Sequence, residues 1–186
     1  QPRVALLVET SNAYARGLLH GVKAYLREHR PWSLFLDEQG RGDEPPRWLS
    51  TWKGDGMIAR VENPAIAEVV ARVNVPTVDL SAARLLPHLP WFETDDTAIG
   101  KMAADHLLER GFKTFAFCGD ARYNWSRWRE KHFVDTVRGA GRDCIIFDQD
   151  TGTYSSAEEN LEAIDRWLLS LPRPVGIMTN YDIRGR

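Results

Sequence analysis

The sequence predicts an α/β fold with parallel sheets flanked by helices, and three observations predict it. Short apolar runs of strand length recur at 4–8, 32–36, 56–61, 75–78, 114–118, 143–147 and 175–179. Most are followed by a polar break and then by apolar residues at helical spacing. Strand and helix alternate from one end to the other, which builds parallel sheets through right-handed crossovers.

Residues 4–8 are continuously apolar, as in a strand covered on both faces. The break Glu9-Thr-Ser-Asn offers Ser11 or Asn12 as a helix cap. The helix it opens carries Ala15, Leu18, Leu19, Val22 and Leu26 on one face. WSLFL at 32–36 is the second strand, QGRGDEPP at 39–46 a loop, and 47–52 a short helix. Gly54-Asp-Gly56 is a turn signal leading into the third strand. Asn63 as cap and Pro64 at the first position start a helix with Ile66, Val69, Val70 and Val73 inward. A fourth strand lies at 75–78, residues 81–90 are irregular, and 91–94 read as a short strand. Asp95 or Asp96 caps the next helix, which buries Ile99, Met102, Ala103 and Leu107 and stops at Gly111. The lobe boundary is placed there, dividing the chain into 1–111 and 112–186.

The pattern then restarts. Strand 114–118 leads through a polar, aromatic loop to a helix at 126–138 with Phe133, Val134 and Val137 inward. Strand 143–147, the loop 149–154 and a helix at 156–170 follow, the helix carrying a capping box of Ser156 and Glu159. Pro172 and Pro174 break it, 175–179 is the last strand, and Asn180-Tyr-Asp182 opens a helix barely begun at Arg186.

Composition narrows the function. The 186 residues are 43% hydrophobic, enough for a packed core, and the formal net charge is −2. That balance does not suggest a nucleic-acid surface, which needs a clustered basic excess. No apolar run reaches the ~18 residues of a membrane span, and 4–8 is too short for a signal-peptide core. Cys118 and Cys144 sit in apolar runs without CxxC spacing, so they read as buried thiols of a reducing, cytoplasmic compartment. No two histidines stand at i, i+4 with a third ligand near, so no metal site is expected. The turn ETSNAYARG lacks G-x-G-x-x-G, and no P-loop or G-x-S-x-G turn is present, so neither a cofactor nor an enzyme is expected.

Polar residues collect where strands end: Glu9, Glu38, Asp95, Asp120, Asp148 and Asp182. In open parallel sheets those carboxyl ends share an edge and bind ligands. With Arg16, Arg129, Tyr14, Trp125 and Trp128 nearby, the set suits a neutral polyhydroxyl ligand. Carboxylates accept hydroxyl protons, arginine donates in a fork, and tryptophan covers the apolar face of a sugar ring. The plainer reading of any one carboxylate is a helix cap.

Several stretches carry a family resemblance: VALLVETSNAYARGLLHGVKAYL, WSLFLDE, GDGMIARVENP, VNVPTVDLS, FETDDTAIGKMAADHLLERGFKTFAFCG, WREKHF and GIMTNYDIRGR. Together they resemble the sensing module of bacterial xylose operon regulators, similar in turn to lactose/galactose-repressor sensors and type I periplasmic sugar-binding proteins. The resemblance implies a periplasmic-binding-protein-like fold with the first lobe nearly complete and the second truncated. It implies an inter-lobe cleft closing on D-xylose or a related aldose, a homodimer, and operator DNA bound by an AraC-type helix-turn-helix domain outside this chain. Arg129 matches the arginine of an R-x-x-x-F helix that binds sugar hydroxyls. Asp182 matches an aspartate lining the cleft, Asp95 an acid near the inter-lobe crossing, and Tyr14 and Arg16 the AYxR segment facing the cleft. Glu9 departs from the amide expected at its turn, and Asn12 and Ala15 also differ, so the particular sugar stays open. The expected ligand-binding set is thus Glu9, Tyr14, Arg16, Asp95, Asp120, Trp128, Arg129 and Asp182. Two other classes are weighed beside it: a periplasmic sugar-binding protein of a transporter, and a small flavodoxin-like enzyme or receiver domain using Asp37-Glu38.

Overall fold

The computed structural model describes residues 1–11, 13–40, 43–147 and 156–185. Within them lie two compact units, Gln1–Glu93 and Thr94–Arg186.

The first unit is a four-stranded parallel sheet in the order β2-β1-β3-β4. β1 is Arg3–Leu7, β2 Ser33–Leu36, β3 Gly56–Ala59 and β4 Thr77–Asp79. β1 is central because its run is apolar on both faces, and Val4 to Val8 are all buried. Its neighbours are in parallel register, Ala5 opposite Phe35 on one side and Met57 on the other. Ala5, Leu7, Met57 and Ala59 from the strands meet Ile66, Ala67 and Val70 of helix α2 (Pro64–Val73) in one core. Asn63 caps α2 by accepting the Ile66 N–H at 2.8 Å, and Asn74 ends it in the left-handed region at φ 50°. Helix α1 (Ala13–Glu28) buries Ala15 alone, while Leu18, Leu19, Val22 and Leu26 are only partly covered. Ser11 is exposed, and the alternative cap Asn12 lies outside the described residues.

Two expected elements shrink. The helix at 47–52 is one 3-10 turn, Leu49–Thr51, and the strand at 91–94 is a single bridge from Trp91 to Asp79. With so short a crossover beside it, edge strand β2 keeps all four residues exposed. Trp48 and Trp52 cover part of that edge, their rings 4.7 and 5.6 Å from the Phe35 ring.

The second unit is a three-stranded parallel sheet in the order β6-β5-β7. β5 is Thr114–Cys118, β6 Cys144–Ile146 and β7 Val175–Thr179. Helices α3 (Asp96–Glu109), α4 (Asn124–Gly139) and α5 (Ala157–Ser170) flank it. Ser156 caps α5, accepting the Glu159 N–H at 3.1 Å. The expected loop at 149–154 lies outside the described residues. The helix expected after Asn180 is a 3-10 turn, Asp182–Gly185.

The boundary falls between Glu93 and Thr94 instead of at Gly111, because α3 belongs to the second core. Its Ala104 packs with Phe115, Phe133, Val134 and Val137, with Ile99, Ala103 and Leu107 beside them. Met102, expected inside, points off this face and is 65% exposed. Cys118 is buried as expected, whereas Cys144 is only partly so.

Gly100 sets how near α4 comes to α3. A methyl group there would lie 2.6 Å from the Arg129 carbonyl oxygen and 2.9 Å from the Phe133 nitrogen, both backbone. Backbone cannot rotate aside as a side chain does. Gly100→Ala should therefore cost about 1–3 kcal/mol, the range for overpacking a tight core. Urea titration should show a lower midpoint with an unchanged slope.

Candidate ligand-binding site

In the second unit the polar side chains converge at the carboxyl ends of β5 and β7. The Cys118–Gly119 turn and the β7 end meet through Ser126, buried in the first turn of α4. Its Oγ accepts the Asp120 N–H at 2.9 Å and the Asn180 Nδ2 at 3.2 Å. Gly119 permits this, since a Cβ there would stand 2.8 Å from that oxygen.

One turn along α4, Arg129 joins three segments. Its Nε donates to Asp96 Oδ1 at 2.8 Å, its Nη1 to the Asn180 carbonyl at 2.7 Å and its Nη2 to Thr94 Oγ1 at 3.4 Å. The Trp125 ring lies 5.0 Å below the guanidinium, within cation–π range. Trp125 also meets Tyr181 edge-on at 5.8 Å, next to exposed Asp182.

Asp120 is buried and held by Arg122 Nε and Nη2 at 2.9 and 2.6 Å. Burial pushes its carboxyl up, but the Arg122 guanidinium and N–H outweigh this, and it titrates below its ordinary value. Burial raises the Cys118 thiol, against Arg184, and pushes that of Cys144 to about 12. Neither is therefore a thiolate near neutral pH.

Of the expected residues, Asp120, Arg129 and the turn carrying Asp182 come together. Asp95 lies beside them as the α3 cap, accepting the Ala98 N–H at 2.9 Å. Trp128 is half-buried on α4. It is one residue from Arg129 and so turned roughly 100° around the helix. Trp125, four residues back, supplies the ring. Thr94, Asp96, Arg122, Ser126 and Asn180 were missed. The doublet Asp95-Asp96 held the clue, since one cap needs only one of them. Asp148 lies outside the described residues.

The first unit has its own strand-end group. Glu9 is buried just past β1. Tyr14 donates its hydroxyl to Glu93 Oε1 at 3.2 Å, and the Arg60 guanidinium lies 5.1 Å from the Tyr14 ring. Arg60 is also ion-paired with Glu62. Arg16 braces the β1–α1 turn, its Nη1 donating to the carbonyls of Thr10 and Ser11 at 3.3 and 3.0 Å. Asp79, which sequence reasoning did not single out, ends β4 and is 1% exposed. It accepts the Val61 N–H at 3.1 Å, which ties β4 to the β3 exit.

Burial pushes the Asp79 carboxyl up to about 6, with the charges of Glu62 and Glu93 adding, despite N–H bonds from Val61 and Ser81. A carboxyl raised on folding takes up a proton as the chain folds. Its contribution is complete below its ordinary value, 3.8, and is lost as pH rises through about 6. That gap corresponds to roughly 3 kcal/mol. Asp79→Asn should keep the Val61 bond and remove this loss, so urea unfolding at pH 4 and pH 7 should differ less in the variant than in the parent.

Comparison with known proteins places the chain. Residues 3–97 match the XylR N-terminal domain, and residues 104–186 a periplasmic binding protein-like domain. The chain belongs to the XylR N-terminal domain family. This XylR-type chain is 30% identical to the xylose operon regulatory protein of Escherichia coli K12, covering 99% of its own length and 48% of that protein. It is 29% identical to the Haemophilus influenzae protein of the same name, covering 49% of it. The chain therefore spans about half the length of these relatives. A solved xylose-binding transcription activator, XylR, superposes with a TM-score of 0.77 at 27% identity, over 96% of this chain and 46% of that one. A periplasmic solute-binding protein from Actinobacillus succinogenes, with bound D-allose, has a TM-score of 0.70 at 18% identity, covering 98% of this chain and 70% of that one. At that identity the likeness shows a shared fold. The fold is thus periplasmic-binding-protein-like, with parallel sheets flanked by helices.

Proposed function

We propose that this chain is the sensing portion of a bacterial transcription regulator, that it binds D-xylose or a closely related neutral aldose, and that binding controls operator recognition by a helix-turn-helix domain elsewhere in the longer protein. The observation that carries this reading is similarity along 99% of the chain to proteins named xylose operon regulatory protein. The strand-end chemistry agrees with it. Arg129 over Trp125, flanked by Asp95, Asp120 and Asp182, supplies donors, acceptors and an aromatic face for hydroxyl-rich ligands. In the first unit, Glu9, Tyr14 and Arg60 offer a further polar surface. Arg16 and Trp128 stay in the proposed set as supports of the turn and of α4.

Sensing of this kind needs no turnover. The ligand acts by binding one arrangement of the regulator better than another. We further propose a cytoplasmic homodimer, with DNA contacted only by the domain outside these residues. The transporter reading rests on a shared fold, and no feature of the polar clusters favours it.

Calorimetric titration of the full-length regulator with D-xylose, D-ribose and D-glucose tests the assignment. Saturable heat is expected with a pentose. Arg129→Ala should weaken binding about 10- to 150-fold, the worth of a charge-assisted hydrogen bond of roughly 1.5–3 kcal/mol. Absence of heat with every aldose would overturn the reading.

A further inference from the structure

Asp96 shows a feature that neither capping nor core packing explains. Its side chain is 3% exposed, yet only one of its two oxygens is used. Oδ1 accepts from Arg129 Nε at 2.8 Å and from Thr94 Oγ1 at 3.2 Å. Oδ2 is buried and has no hydrogen-bond partner among the described residues. The helix cap is already provided by Asp95. A neutral amide could accept the same bonds through one oxygen without burying a charge, and burying a charge is costly. The negative charge is thus the property that a neutral residue of the same shape would lack.

That charge acts on Arg129. A guanidinium has five N–H donors. Three of them are engaged by Asp96, Asn180 and Thr94, which leaves one on each terminal nitrogen. The side chain is still 16% exposed. Arg129 can therefore donate to a ligand while its charge is matched at contact distance. The neighbouring Arg122 is matched in the same way by Asp120. With Asp95 the cluster holds four aspartates, Asp95, Asp96, Asp120 and Asp182, against three arginines, Arg122, Arg129 and Arg184. An incoming phosphate would meet no unmatched cation and would be brought beside a buried carboxylate. A sugar hydroxyl can still use the two donors that remain on Arg129.

We propose that Asp96 is a specificity-determining positioning residue: it fixes the Arg129 fork through Nε and cancels its charge, so the site accepts uncharged sugars and rejects phosphorylated ones. This rests on the sugar-sensing reading above.

The test compares the full-length regulator with its Asp96→Asn and Asp96→Glu variants, each titrated with D-xylose and D-xylose 5-phosphate. The parent should prefer the neutral sugar by at least about 100-fold, a difference typical of one unmatched buried charge. Asp96→Asn should narrow that preference at least about tenfold, by gaining affinity for the phosphate ester. Asp96→Glu keeps the charge but shifts the fork, so it should lose xylose affinity while still rejecting the ester. Equal weakening of both ligands in Asp96→Asn overturns the proposal, since that is the pattern of a purely structural residue. If Asp96→Asn does not fold, loss of discrimination in Asp96→Glu overturns it and retention supports it. If the parent binds no sugar, the sensing reading fails on its own. Asp96 is then judged by thermal unfolding with inorganic phosphate, which should stabilise Asp96→Asn and not the parent; no difference between them overturns the proposal.

Discussion

The close crossing of α3 and α4 at Gly100 is the constraint on which the second unit depends. With no side chain at that point, the backbones of the two helices come within a methyl group of each other. This lays Arg129 across the start of α3, where Asp96 and Thr94 reach its Nε and Nη2. Its Nη1 then extends to the end of β7 and closes on the Asn180 carbonyl. A single side chain thus joins two helices and a strand end, beside a helix crossing too tight at Gly100 for anything larger than hydrogen. The same side chain is the group proposed to meet a ligand, so the geometry of the proposed site derives from the packing of the core.

Buried charge is handled in two different ways. Asp120 and Asp96 are each buried against an arginine, and the Arg122 pairing holds Asp120 below its ordinary titration range. Asp79 is just as inaccessible but faces Glu62 and Glu93, with backbone N–H groups as its donors, and its carboxyl rises to about 6. The comparison separates burial from partnership. Burial alone favours the protonated acid, and a guanidinium at hydrogen-bond distance reverses the preference. Around Arg129 and Arg122 the result is a surface dense in donors and acceptors yet electrically matched.

Much of the fold was legible because its signals are local. Apolar runs marked β1, β3, β5 and β7, Asn63-Pro64 marked the start of α2, and Ser156 with Glu159 marked that of α5. The misjudged features depend on what lies across from a residue. The helix ending at Gly111 was assigned to the first lobe, because nothing in its own sequence says that Ala104 meets Phe133. Met102 was read as core and points outward by one step around the same helix. Trp125 and Trp128 were both named as candidate rings, and the distance of 5.0 Å between the Trp125 ring and the Arg129 guanidinium is a tertiary fact.

The family and the approximate positions of Arg129, Asp120 and Asp182 followed from the amino-acid sequence by itself, because order of elements and residue type are properties of the chain. Which aspartate of the Asp95-Asp96 pair caps the helix and which one turns inward to Arg129 was decided only in three dimensions. Both are acidic, adjacent and able to cap, so local chemistry does not separate them. The choice is made by α4, brought near by Gly100, which presents a guanidinium to one of the two carboxylates.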